Sequence, residues 1–367
     1  MIYKSFHDEI ELSRLGMGNM RLPVQRLGTK IDRKKAQEII DYAMESGINY
    51  YDTAYVYHFG ESEKFLGEAL KKYPRESYHL ATKFYIMANS DYKKVFEKQL
   101  NKLQTDYIDF YLIHSITDGS SKRYRNSGCI DYFLEQKKKG RIKYLGFSSH
   151  AGVNTLAEFA DCADWDFAQI QLNYYDWFYG DTRKEYKVLE DRGIPIIVME
   201  PVRGGRLASL NADAEKLLKG AHPDWSIASW AFRFIKSLPQ VQVVLSGMST
   251  LAQIQDNVKT FGDEEALTEA DKEVLMKACE IFHGQFKIPC TSCRYCCEDC
   301  PKQINIPEYL KIFNNYKAGE TGALNRLSDV SSQGKPDDCI SCGKCKGHCP
   351  QSIKIPEVMK ELAEVIK

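Results

Sequence analysis

Hydrophobic and polar positions along the first ~280 residues switch between a strand period of about two and a helix period near 3.6. Short runs rich in β-branched and aromatic residues recur as INYYDTA, YHLATKF, YIDFYLIHS, IKYLGFSS, FAQIQLNYY, PIIVMEPV and VQVVLSGM. Between them lie stretches such as RKKAQEIIDYAMESG, GESEKFLGEALKKY and YKKVFEKQLNKLQ, with apolar residues at helical spacing. Counting LSRLGMGNM as the first strand gives eight. Strand-helix alternation at this length predicts a (β/α)8 TIM barrel with its chemistry at the C-terminal strand ends. An open doubly wound sheet is the rival. It is disfavoured because GMGNMR lacks both the third glycine and the following helix of a dinucleotide fingerprint.

The pattern changes near residue 285, which divides the chain into an expected barrel, 1–284, and an appendage, 285–367. Within the appendage CTSCRYCCEDCPKQINIPEYLK, from Cys290, aligns with CISCGKCKGHCPQSIKIPEVMK, from Cys339, at about half of its positions. Each copy reads C-x2-C-x2-C-x3-C-P, the bacterial ferredoxin spacing, in which the last cysteine of each copy serves the other copy's cluster. Two [4Fe-4S] clusters follow, one on Cys290, Cys293, Cys296 and Cys349, the other on Cys339, Cys342, Cys345 and Cys300. Cys297 is then a spare thiol, and Cys129, Cys162 and Cys279 also lie outside the pattern. Zinc gives no reason for a third and fourth cysteine per copy. Clustering of the thiols favours metal over a disulfide framework. Ile-Pro-Glu after each copy predicts a short helix opening on proline, so the appendage reads as a small ferredoxin-like, α-rich iron-sulfur domain.

Composition removes other classes. Fifty acidic residues balance fifty basic ones, without a concentrated Lys/Arg stripe, so nucleic acid is not an expected partner. No run of about 18 uncharged apolar residues occurs, so a membrane is not expected either. The expected location is cytoplasmic.

Polar side chains collect at the predicted strand ends: Asp52 and Tyr57 after the second strand, Lys83 at the third and His114 at the fourth. Taken singly, each has an ordinary explanation in turn capping, packing or solvation. Jointly they place acid, base and donor groups in one barrel mouth. Here the chain resembles the aldo-keto reductase superfamily over roughly residues 1–282, through D-T-A-x-x-Y, the lysine after the third strand and the histidine after the fourth. Its C-terminal extension resembles the iron-sulfur branch of those proteins.

The resemblance implies reduction of an aldehyde or ketone by NADP(H) or NAD(H), with Asp52, Tyr57, Lys83 and His114 as the catalytic tetrad. Tyr57 would be the general acid. A free tyrosine holds its proton too tightly, at a pKa of ~10, so Lys83 would stabilise the tyrosinate and Asp52 would hold Lys83. His114 would orient the carbonyl oxygen. Nucleotide contacts implied by the family are Gly16, Met17, Ser148, Ser149, Gln169, Met199, Ser246, Gly247, Met248, Gln253, Asp256 and Asn257.

Three positions depart from the family pattern. Ser149 replaces the usual Asn, Met199 replaces a stacking aromatic ring, and Gln253 stands where NADPH-selective members often carry Arg. Coenzyme choice therefore stays open, with family frequency on the side of NADPH. Long connections follow the fourth and seventh strands, and Tyr55, Tyr85, Trp177 and Arg203 are candidates to line the mouth. Beyond a small carbonyl substrate, a ferredoxin or other redox partner is an expectation of the cysteine motif. Three uses of the clusters stay open: bracing a C-terminal lobe, exchanging electrons with the barrel site or an external ferredoxin, and equipping a catalytically silent sensor or docking protein.

Overall fold

A computed structural model describes residues 1–25, 30–265, 267–285, 287–317 and 320–366. Ten strands occur among them: β1 (Tyr3–Phe6), β2 (Ile10–Ser13), β3 (Leu15–Gly18), β4 (Tyr50–Asp52), β5 (His79–Phe84), β6 (Ile108–Ile116), β7 (Ile142–Ser149), β8 (Phe167–Gln171), β9 (Ile196–Met199) and β10 (Val241–Ser246). β3 to β10 run parallel in sequence order, and β10 pairs back onto β3 to close the barrel. The eight-stranded parallel barrel is thus the fold of this part of the chain.

Two strand expectations change in detail. LSRLGMGNM divides, because Leu12 and Ser13 belong to an antiparallel hairpin with β1, and only Leu15–Gly18 enters the barrel. The hairpin turns at His7 and Asp8, both with positive φ. FAQIQLNYY stops as a strand at Gln171, because Asn173 caps a helix over Tyr174–Tyr179 by accepting from the Asp176 amide.

Helices start where short polar residues satisfy their free amides. Asp32 caps Arg33–Glu45 and Asp91 caps Tyr92–Leu103, each accepting from a backbone N–H three residues on. Their apolar stripes, Ala36, Ile39, Ile40 and Ala43 in one and Val95, Phe96, Leu100 and Leu103 in the other, are buried.

The barrel interior is packed, not hollow. Phe6 and Leu12 of the hairpin join Tyr50, Ala81, Phe110, Leu112, Tyr144, Phe167, Ile197, Val243 and Leu245 in one cluster. The Phe110 ring centre lies 4.8 Å from Tyr50, 5.0 Å from Tyr144 and 5.4 Å from Phe6. Most of these residues sit in the N-terminal halves of their strands, so the opposite strand ends are left for polar groups.

The contacts divide the chain into two compact units, Met1–Pro201 with Ala228–Thr268, and Val202–Ile227 with Glu269–Lys367. This differs from a 1–284/285–367 partition. The helix Ala212–Ala221, inserted after β9, packs on the helix Glu269–Gln285, and His222 Nε2 lies 2.8 Å from Asp271 Oδ1.

In the second unit the sequence repeat is also a repeat of backbone. Ser292, Arg294 and Gln303 have positive φ, and so do Ser341, Gly343 and Ser352, each 49 positions later. Short helices Tyr295–Glu298 and Lys344–Gly347 carry Cys296 and Cys345. Longer ones, Ile306–Lys317 and Ile355–Val365, have proline as their second residue. They run to three turns where a short helix was expected, because both bury an apolar face, including Leu310, Phe313, Met359 and Leu362. Among the described residues no helix is long and apolar enough to cross a membrane.

Candidate active site

Four side chains converge at the C-terminal ends of consecutive barrel strands. Lys83 is fully buried, and its Nζ donates to Asp52 Oδ1 at 2.6 Å, Asp52 Oδ2 at 2.7 Å, the Thr53 carbonyl at 2.7 Å and Tyr57 Oη at 3.4 Å. The His114 ring packs edge-on to Tyr57 with centroids 5.8 Å apart. Asp52, Tyr57 and His114 are all buried. The period-two pleat accounts for the meeting of Asp52 and Lys83, since both residues sit at the ends of adjacent parallel strands.

Burial dominates the electrostatics. It pushes the Asp52 carboxyl up and the Lys83 amine down, and their two-toothed contact opposes both shifts. Burial, with Lys83 and His150 adding like-charge repulsion, holds His114 well below the usual imidazole range, so it is neutral near pH 7.

Backbone strain marks the same rim. His58 and Phe59, directly after Tyr57, have φ of 50° and 57°, Ser115 after His114 has 55°, and Glu200 after Met199 has 53°. Each left-handed non-glycine residue costs about 1–3 kcal/mol and persists where its surroundings over-determine it.

A buried polar network behind Lys83 was not found by reading the sequence. Glu63 Oε1 accepts from Thr82 Oγ1 at 2.7 Å and Gln99 Nε2 at 2.6 Å, and Lys102 Nζ reaches Glu63 Oε2 at 3.3 Å. Gln99 Nε2 also donates to the Lys83 carbonyl at 3.0 Å, and Tyr111 Oη donates to Gln99 Oε1 at 2.6 Å. The available signal was polar residues inside the apolar stripes of two amphipathic helices. Asn19 adds a tie across β3 and β4 by donating to the carbonyls of Met17 and Asp52.

The expected nucleotide residues separate into groups. Ser148, Ser149, Gln169 and Met199 lie on neighbouring strands: Ser148 Oγ accepts from the Ser115 amide, Ser149 Oγ from the Ala151 amide, and Gln169 Nε2 contacts Met199 Sδ at 3.5 Å. Gln169 Oε1 is buried with no hydrogen-bond partner among the described residues. Ser246 Oγ accepts from Asn257 Nδ2 at 3.0 Å, and Met248 is buried beside them in sequence. Gln253 is engaged otherwise: with Thr250 it forms a capping box, its Oε1 accepting from the Ser249 amide at 2.7 Å. The Asp256 carbonyl accepts from Thr260 Oγ1. Gly16 serves barrel packing, because a Cβ there would come within 2.8 Å of Val243 and Leu245. Met17, the next residue of that strand, is fully buried. Arg21, which the motifs did not single out, lays its aliphatic stem against Gly247 at the end of β10.

Of the four candidates for the mouth, Tyr85 packs on His114 at 5.3 Å. Tyr55 is turned to Lys98 and Lys102, and Trp177 packs between Tyr186 and Phe234. Arg203 is buried in the second unit, donating to Gln351 Oε1 at 2.9 Å.

That unit holds two cysteine-lined cavities. One is walled by Cys290, Cys293, Cys296 and Cys349, with Pro307, Leu310, Ile353 and Ile355 among its apolar lining. The other is walled by Cys300, Cys339, Cys342 and Cys345, with Ile304, Ile306, Ile355 and Met359. Ile355 belongs to both walls. The left-handed Ser292 turns its amide toward Cys290 Sγ at 3.4 Å.

The family pattern described as the Aldo/keto reductase family matches residues 14–277, most of the chain. The chain belongs to the aldo/keto reductase family. Residues 289–353 match the 4Fe-4S dicluster domain. This aldo/keto reductase is 27% identical over 302 residues to the uncharacterized oxidoreductase YqkF of Bacillus subtilis, covering 73% of this chain and 92% of that relative. The NADH-specific methylglyoxal reductase of Escherichia coli is 25% identical over 323 residues, covering 75% of this chain and 97% of that relative. Among solved structures, the holo form of aldo-keto reductase AKR11C1 from Bacillus halodurans matches with a TM-score of 0.63 and 28% identity, over 76% of this chain and 96% of that one. The protein is therefore an oxidoreductase of this family with a 4Fe-4S domain.

Proposed function

We propose that the barrel is an NAD(P)H-dependent carbonyl reductase in which Tyr57 is the general acid, and that the second unit carries two [4Fe-4S] clusters. The carrying observation is the Lys83 Nζ held between the Asp52 carboxylate and Tyr57 Oη in a buried pocket. When Tyr57 gives its proton to the carbonyl oxygen, the Lys83 ammonium stabilises the phenolate left behind. Asp52 and the Thr53 carbonyl orient Lys83 and keep its charge in place. Neutral His114, its ring packed edge-on to Tyr57, donates to the carbonyl oxygen as negative charge builds there.

Bound nicotinamide supplies the hydride. Ser148, Ser149 and Gln169 would hold its amide, and the unsatisfied Gln169 Oε1 fits an amide N–H. The amides at the start of the helix Leu251–Thr260 and the adjacent Arg21 suit its phosphates.

The two cavities fit crossed cluster sets, since each brings three cysteines of one repeat to the fourth cysteine of the other. Clusters held by these cysteines would carry single electrons. Their shared wall at Ile355 sets the two sites side by side, which supports the reading in which the clusters exchange electrons with the barrel site or an external ferredoxin.

Replacing Tyr57 with Phe tests the barrel assignment. Carbonyl reduction should fall between a hundredfold and ten-thousandfold, the usual contribution of general acid catalysis, while nucleotide binding measured by fluorescence stays unchanged. Retention of full turnover would remove Tyr57 from the mechanism.

A further inference from the structure

The cysteine set Cys290, Cys293, Cys296 and Cys349 has two cationic neighbours from far away in the sequence. Arg206 Nε donates to the Cys290 carbonyl at 2.9 Å, and Arg203 Nη2 donates at 2.9 Å to Gln351, itself part of that cavity's wall. Both arginines precede Cys290 by more than eighty residues and lie on the segment that leaves β9. Arg203, Gly204 and Gly205 have φ of 48°, 66° and 95°, a run of left-handed residues that folds this segment back. A non-glycine residue at such an angle is held there by its contacts.

Both guanidinium groups thus reach the wall of one cysteine set from a single 3-10 turn, Arg203–Ala208. Four thiolates around an iron-sulfur group would place negative charge on the far side of the Cys290 and Gln351 contacts. In the other cavity the cationic lining residues, Lys302 and Lys344, are exposed, as Arg294 is in the first, and so are Cys342 and Ile340.

We propose that Arg206, together with Arg203, is the electrostatic partner of the group held by Cys290, Cys293, Cys296 and Cys349, so that its reduction and the order of residues 203–221 are one coupled equilibrium. The proposal rests on the two-cluster reading above. Reduction adds one electron from an external donor and breaks no bond to the protein. The extra negative charge strengthens the hold on Arg206 and Arg203, and by linkage an ordered segment favours the reduced state. Arg206 is thus a positioning and tuning residue, not a catalytic one.

The test is an anaerobic potentiometric titration with dithionite, followed by EPR on the full-length protein, after its iron has been counted. In Arg206→Gln the reduction constant of one signal should fall about tenfold, ~59 mV for a one-electron couple, with the other signal unmoved. Arg206→Lys should recover most of that shift. Equal movement of both signals, or of neither, overturns the proposal. Absence of two signals in the wild type instead overturns the cluster reading, and the proposal with it. A second measurement needs no variant: hydrogen exchange of the wild-type holoprotein should show residues 203–221 better protected after reduction than before. Unchanged protection refutes the coupling even where Arg206→Gln fails to load iron.

Discussion

Replacing Lys83 with Met separates a catalytic role of the buried ion pair from a structural one. Lys83 Nζ lies 3.4 Å from Tyr57 Oη. At an effective dielectric of about 20, unit charges at that distance attract by about 5 kcal/mol. That attraction exists only when the phenolate forms, so it lowers the barrier and leaves substrate binding alone. Because each 1.36 kcal/mol is a factor of ten, its loss corresponds to roughly three and a half orders of magnitude in kcat with little change in KM. The same substitution strands Asp52, which costs about 3–5 kcal/mol of stability for a broken buried pair. Asp52 relieves part of this by taking a proton, as burial already pushes its carboxyl upward. The double variant Asp52→Asn with Lys83→Met removes both charges, and should regain most of the stability without regaining turnover. Steady-state rates, read from nicotinamide absorbance over a panel of small aldehydes, are compared with urea midpoints for all three proteins. A Lys83→Met enzyme within about threefold of wild-type kcat would refute the reasoning, as would a double variant that recovers activity.

Three further outcomes follow from the same geometry. Cys290→Ser with Cys349→Ser should lower anaerobic iron content by about half and leave one EPR signal; loss of all iron or of none would refute the crossed ligand sets. Glu63→Ala leaves Thr82, Gln99 and Lys102 without their shared acceptor and should destabilise the barrel by about 3 kcal/mol, so a change in chemical-denaturation stability below ~1 kcal/mol would show the network to be dispensable. His114 has a depressed pKa in the fold, so the unfolded chain binds the extra proton first, near its ordinary ~6.5. Its stabilising contribution is complete above that pH and declines as pH falls toward the folded value. Urea midpoints taken between pH 8 and 5 should therefore slope less in His114→Gln than in wild type.

Reading the sequence works well wherever a short-range period or spacing carries the physics. Strand and helix periods suffice for six of the eight barrel strands, because alternation and 3.6-residue stripes are properties of neighbouring residues. Two differ: FAQIQLNYY ends as a strand at Gln171, and LSRLGMGNM joins the strand Leu15–Gly18 to Leu12 and Ser13. Those residues pair with Tyr3 and Lys4, and such pairing leaves a weak trace in so short a run. Trp177 and Tyr55 look like pocket residues in sequence, since an aromatic side chain near a strand end suits packing and binding equally. Only their neighbours, Phe234 and Tyr186 for one and two lysines for the other, tell the roles apart.

By itself the sequence determined the barrel class, the four polar residues at consecutive strand ends, and the doubled cysteine spacing, all of them carried by local periodicity or by covalent distance along the chain. Tertiary structure decided the rest: that Lys83 touches Asp52 and Tyr57 at once, that Glu63 and Gln99 support it from behind, and that Arg203 and Arg206 belong with Cys290 and Gln351. Those contacts join residues tens to more than a hundred positions apart. Their free energy comes from burial and charge compensation in three dimensions, and no period along the chain records it.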